Sequence, residues 1–235
     1  MTTALYLSNR YYEGMSNAVG KVNIMAKAID YSYYKNNYEK LLQEVFPHRR
    51  ERVKKFKNLQ AAYVSLATGL ILQEVVKKEL FIEPSHIHIV EGVNGKPGLQ
   101  ECPGFHFNLS HSDNVVVIAY GNCPVGIDIE HIEPRNMRVG ERCFAKNEYD
   151  YVLNGHNSQM DEDMDSRFCH VWTMKEAYVK YTGTGISIPL NSFSIDIPKQ
   201  KVLGERVELF TEKRGEYIIT LCTDEDSEVF WDLDF

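Results

Sequence analysis

The chain has 235 residues, 43% hydrophobic and 25% charged, an ordinary globular composition with length for one large domain or two small ones. Its formal net charge of −7 argues against a general nucleic-acid binder. The opening MTTALYLSNRYYEG lacks a basic start with a long apolar run, so no secretory signal is expected, and no apolar stretch is expected to reach membrane-spanning length.

Residues 1–46 are rich in Tyr and Asn and show a helical pattern only near Tyr38–Phe46. In PHRRERVKKFKN, six of the twelve residues 47–58 are Arg or Lys. The periodicity of LQAAYVSLATGLILQEVVKKEL predicts a buried helix over Leu59–Leu80. SHIHIVEG (85–92) alternates like a strand, and NGKPG is turn chemistry. FHFNLSHSDNVVVIAYGNCPVGIDIE predicts three short strands, AKNEYDYVL a short helix, and residues 154–166 an acidic loop or helix end. SRFCHVWTMKEAYVKYTG predicts a second long helix with Gly183 as its C-cap. FSIDI, KVLGERVELF, GEYIITLCT and SEVFWDLDF read as strands. The five cysteines are scattered, with no C-x-x-C pair, which predicts reduced thiols in a cytoplasmic protein.

Three constellations could carry chemistry. In CPVGIDIEHI, alternation puts Ile127 and Ile129 on one face of a strand and Asp128 and Glu130 on the other. Like charges that close repel, and an opposite charge would resolve the conflict. Alone, the pair is the wet face of a half-buried strand. Glu176 and Lys180 share a helix face at i and i+4, which by default is a surface pair. With Asp128 and Glu130 facing it, Glu176 becomes a third carboxylate, and the three supply oxygen ligands of the kind Mg²⁺ takes. The basic stretch from Arg49 to Lys57 is a solvated helix face or a cradle for a nucleotide carrying several phosphates. Ser110 and His111, at a strand end, could donate to phosphate. Neither a G-x-S-x-G elbow nor a Walker or Rossmann fingerprint is present.

Taken in order, GKP (95–97), FNLSHS (107–112), VGIDIE (125–130), CFAKNEY (143–149), WTMKEAYVK (172–180) and GTGISIPLNSFSI (183–195) resemble the 4′-phosphopantetheinyl transferases, in the larger Sfp-type class with two fused halves. The resemblance spans roughly residues 45–200. It implies an α+β fold in which each half packs a small antiparallel sheet against a long helix, with the halves at 1–125 and 126–235. It implies transfer of the phosphopantetheine arm of coenzyme A to a serine of an acyl or peptidyl carrier protein, releasing adenosine 3′,5′-bisphosphate. Asp128, Glu130 and Glu176 would hold Mg²⁺ or Mn²⁺, with Lys180 near the same phosphates. Arg49 and Arg52 match the positions that hold the 3′-phosphate, and Ser65, Lys96, Ser110 and His111 match further coenzyme A contacts. Glu176 is the candidate base, directly or through water. A cytoplasmic monomer with no nucleic-acid or membrane partner is expected, and the carboxylates are expected on a solvent-reached face.

The chain departs from the family in a longer segment before the basic stretch, in Val64 where relatives often carry a polar or basic residue, and in the acidic run Asp161–Asp165. A Mg²⁺-dependent nucleotide phosphohydrolase could use the same carboxylates with water as nucleophile. A non-enzymatic carrier- or coenzyme A-binding protein has no need of the full charged set.

Overall fold

A computed structural model describes residues 19–92, 95–155 and 163–235. The first half opens with strand β1 (Lys21–Ala28), where Val22, Ile24 and Ala26 point into the core. Helix α1 (Tyr31–Glu44) follows and starts seven residues before the expected Tyr38, because the Asp30 side chain accepts from the amides of Ser32 and Tyr33. Its tyrosines are packing residues: Tyr31, Tyr34 and Tyr38 surround the Tyr63 ring at 6.4, 6.3 and 5.7 Å. The earlier part of the Tyr-rich segment lies outside the described residues.

The basic stretch folds as short helix α2 (Pro47–Val53), and Asn58 then caps helix α3 (Leu59–Leu80) by accepting from Ala61 N at 3.1 Å. Contrary to the expectation for apolar runs, α3 is long and apolar enough to cross a membrane, yet 67% of that window is buried in the fold, as in a core helix. The expected strand at 85–92 shortens to β2 (Ile89–Glu91) after a 3₁₀ turn, and pairs with β3 (Pro97–Leu99). The three strands expected next are β4 (His106–Ser112), β5 (Val115–Gly121) and β6 (Val125–His131).

Helix α4 (Met137–Cys143), not anticipated, precedes α5 (Lys146–Asn154) and the long α6 (Met164–Thr182). Asp163 caps α6 by accepting from Ser166 N, and Gly183 closes it at φ +68°, donating to Val179 O. Part of the acidic run, Asp161 and Glu162, lies outside the described residues. The strands β7 (Ile195–Asp196), β8 (Lys201–Val202), β9 (Val207–Arg214), β10 (Tyr217–Asp224) and β11 (Glu228–Asp234) complete the chain.

Besides the two-stranded β2–β3 pair, two larger sheets form among the described residues, ordered β11-β1-β5-β4 and β6-β10-β9-β8-β7. Helix α3 covers the outer face of the first and α6 that of the second. Val22, Ile24, Val117, Ile127, Ile129 and Leu221 fill the layer between them. The first sheet is not wholly antiparallel: β11 returns from the C-terminal end and runs parallel to β1, with Lys21 opposite Glu228.

The halves meet along β4 and β6, which are joined by side chains. Asn108 Oδ1 accepts from Ile127 N and Ser112 Oγ from His131 N, each at 2.9 Å. On its other side, β6 presses against α6 at Gly126, where a Cβ would fall on the Ala177 carbonyl and the Tyr181 amide. Gly126→Ala is therefore expected to destabilise the fold by about 3 kcal/mol, the upper end of overpacking costs, because backbone must move. A denaturant melt checks this, and a loss well under 1 kcal/mol would mean that the strand and helix separate cheaply.

Candidate active site

The alternation of β6 and the i, i+4 spacing of α6 converge at one point. Asp128 Oδ1 accepts from Lys180 Nζ at 2.6 Å and from Ser110 Oγ at 2.8 Å, and Lys180 also donates to Ser110 Oγ at 2.9 Å. Lys180 is thus the opposite charge that the paired carboxylates called for. Asp128 itself is not on a solvent-reached face: it is only 5% exposed, because α6 lies over the polar side of β6, while Glu130, Glu176 and Lys180 are half-buried around it. The second Asp128 oxygen, Oδ2, is buried and has no hydrogen-bond partner, an arrangement uncommon in native folds that a bound ion or water would satisfy.

Glu130 and Glu176 complete the cluster. Burial first, and then the Asp128 charge, raise both carboxyls above their ordinary range. Glu130 is paired with Arg135, whose Nη2 lies 2.8 Å from Oε2, while Glu176 has no ion-pair partner among the described residues. Arg135 was not singled out by the sequence, although it follows Pro134 five residues after Glu130.

The remaining candidates divide. Arg49, Arg52, Ser65, Asn108, His111 and Asp113 are among the residues lining a cleft of about 680 Å³ between α2, α3 and β4. Val64 lines the same cleft as an apolar wall. Ser65 Oγ is buried there without a partner. Arg49 is brought down to about 10 by burial and by the neighbouring Arg52 charge, and no carboxylate pairs with either guanidinium among the described residues. Arg50 does other work: it donates to Leu42 O and Gln43 O and closes the end of α1. His111 is held below its ordinary value by burial, then by Lys180, with Arg52 acting in the same direction against Asp128. Arg52 and Lys180 therefore set positive charge on either side of a neutral His111, whose ring can donate a hydrogen bond, between the cleft and the carboxylates.

Lys96 is not among the residues that line this cleft. Its ammonium donates to Val125 O at 3.0 Å and Tyr181 O at 2.8 Å, tying the β2–β3 turn to β6 and to the last turn of α6. Carbonyls at a helix end favour a cation, so in this structure Lys96 cross-links the two halves.

Among the described residues, no group of three or more Asp, Glu, His or Cys side chains is already arranged to hold a metal ion. The donors nonetheless fit a hard divalent cation in chemistry: three carboxylates, one with a buried unpartnered oxygen, two raised above their ordinary range by burial first and then by the Asp128 charge.

Comparison with known proteins gives the family of the chain. Residues 31–122 match the model of the 4′-phosphopantetheinyl transferase N-terminal domain, and residues 124–222 that of the 4′-phosphopantetheinyl transferase superfamily. The 4′-phosphopantetheinyl transferase Sfp of Bacillus subtilis is 34% identical over 67% of this chain and 68% of its own length. The 4′-phosphopantetheinyl transferase psf-1 of Bacillus pumilus is 36% identical over 73% of this chain and 72% of its own. The mouse L-aminoadipate-semialdehyde dehydrogenase-phosphopantetheinyl transferase is 28% identical, covering 66% of this chain and 54% of that protein. With both halves matched along most of the chain, and the matched residues carrying the carboxylate cluster and the basic cleft, this chain belongs to the 4′-phosphopantetheinyl transferase superfamily.

Proposed function

We propose that the cleft seats coenzyme A with its phosphates along the line Arg52, His111 and Lys180, and that Asp128, Glu130 and Glu176 hold Mg²⁺ or Mn²⁺ beside them. The observation that carries this reading is the junction itself: an unneutralised basic cleft leads into a carboxylate cluster holding a buried, unpartnered Asp128 oxygen. A polyphosphate ligand with a divalent cation satisfies both ends. The cation would polarise the phosphoryl oxygens and neutralise charge as it develops.

In this reading the acceptor serine of an acyl or peptidyl carrier protein attacks the phosphorus that bears the pantetheine arm. The bond to adenosine 3′,5′-bisphosphate breaks. Lys180 offsets the charge gathering on the phosphoryl oxygens, and a ring N–H of neutral His111 donates a hydrogen bond to them. Glu176 accepts the serine proton, directly or through water. The five cysteines are all unpaired, which supports a reducing, cytoplasmic setting, and the protein is proposed to work as a monomer.

The test is the intact mass of an apo-carrier after incubation with the protein, coenzyme A and Mg²⁺. A gain of one phosphopantetheine is expected, in step with bisphosphate release, and both vanish when the carrier's acceptor Ser is changed to Ala. Rapid bisphosphate release without carrier would reveal a hydrolase instead.

The basic cleft gives a second expectation. Replacing Arg49 and Arg52 with Ala should weaken coenzyme A binding about tenfold to a hundredfold more than dephospho-coenzyme A binding, the range of a charge-assisted contact. Only the first ligand carries the 3′-phosphate assigned to these guanidiniums. Calorimetry with both ligands decides, and equal weakening would place the arginines on another part of the ligand or on the carrier.

A further inference from the structure

We propose that Arg135 sets how tightly this site takes a divalent cation, by occupying Glu130 until the cation displaces it. The inference rests on the metal reading above and deepens it. Two of the three carboxylates already have protein cations, Asp128 with Lys180 at 2.6 Å and Glu130 with Arg135 at 2.8 Å. These pairings account for the absence of a ready-made metal cage in a cluster whose donors suit one.

Arg135 is built into this position. The same Nη2 that meets Glu130 donates to His131 O at 2.8 Å, and the Arg135 amide donates to Asp165 Oδ1 at 2.9 Å. That last bond ties the loop after β6 to the first turn of α6, so the guanidinium is delivered by the two elements that carry the carboxylates. The side chains of Arg135 and Glu130 are 24% and 21% exposed, so solvent screens the pair less than an open surface pair.

A divalent cation on Glu130 would face this fixed positive charge. The guanidinium has somewhere to go. Nη1 lies 3.7 Å from Glu133 Oε1, whose side chain is 59% exposed, and the inner side of the guanidinium faces the Cys169 thiol rather than a second carboxylate. A short outward swing exchanges Glu130 for Glu133 and frees the inner carboxylate.

The experiment is a Mn²⁺ titration of the full chain without coenzyme A, with free Mn²⁺ read by electron paramagnetic resonance. Arg135→Met keeps the reach and removes the charge. It is expected to bind Mn²⁺ about tenfold more tightly or better, the scale of one charge-assisted hydrogen bond. Arg135→Lys should stay close to the original protein, and Glu133→Gln, which removes the outward partner, should bind more weakly. Unchanged or weaker binding by folded Arg135→Met would overturn the proposal while leaving the metal reading intact. If Arg135→Met does not fold, Glu133→Gln decides, and unchanged affinity there overturns it as well. Absence of Mn²⁺ binding in every one of these proteins would overturn both readings together.

Discussion

Asp128→Ala is expected to lower turnover by on the order of 10²-fold or more at saturating Mg²⁺, the loss that follows removal of a group stabilising charge in the transition state. The carboxylate acts at three places. It holds Lys180 and Ser110 through Oδ1 and offers Oδ2 to whatever enters. Its removal leaves Lys180 with Ser110 alone, but the Lys180 side chain is 27% exposed and can turn to water. The variant should therefore remain folded even though Asp128 is buried. Asp128→Asn provides the stricter form, because it keeps the shape and removes only the charge. The measurement is carrier modification per unit time beside a thermal melt, and near-normal turnover in a folded variant would remove Asp128 from the chemistry.

The largest effect on stability is expected at a second ion pair. Lys175, one residue before Glu176, is fully buried against Glu148 at 2.8 Å, each with 0% side-chain exposure. Every polar atom of the pair is used. Glu148 accepts from Ala145 N and Ile195 N at 2.7 Å each, while Lys175 also donates to Leu190 O at 2.7 Å and Phe193 O at 2.9 Å. The pair therefore stitches α5, α6 and the segment entering β7. Glu148→Ala would strand a buried ammonium, and a loss of about 3–5 kcal/mol is expected in a denaturant melt. The double variant Glu148→Leu with Lys175→Met should recover much of it, because no charge is then left unpaired. A single variant within 1 kcal/mol of the parent would show that water reaches Lys175.

What the sequence revealed follows from what is local. The two long helices were legible because their periodicity runs over many turns and their ends carry Asn58 and Gly183. The polar face of β6 was legible because alternation has a fixed period. Its burial was not, since nothing in residues 125–131 records that α6 lies across that face. Lys96 and Lys180 are equally plausible phosphate ligands in a string of letters. Their different places depend on carbonyls and carboxylates 29 to 85 residues away. Strand β1 was missed although Val22, Ile24 and Ala26 alternate, because the small residue and the polar surroundings blunt the signal. The early start of α1 did have a signal in Asp30, the capping residue before the tyrosines.

The parallel pairing of β11 with β1 reaches beyond the finished molecule. Lys21 and Glu228 lie at opposite ends of the chain, and seven residue pairs connect the two strands. During synthesis the β1 edge must wait until the chain has been made through Asp234, and so distant a closure slows completion of the sheet. Until then Val22, Ile24 and Ala26 sit in a strand with one unpaired side, the kind of edge that recruits other chains. A stalled or nicked chain lacking 228–234 keeps the carboxylates, the cleft and both long helices, yet leaves that edge bare. Its fate is then set by chaperone and protease capture rather than by its chemistry.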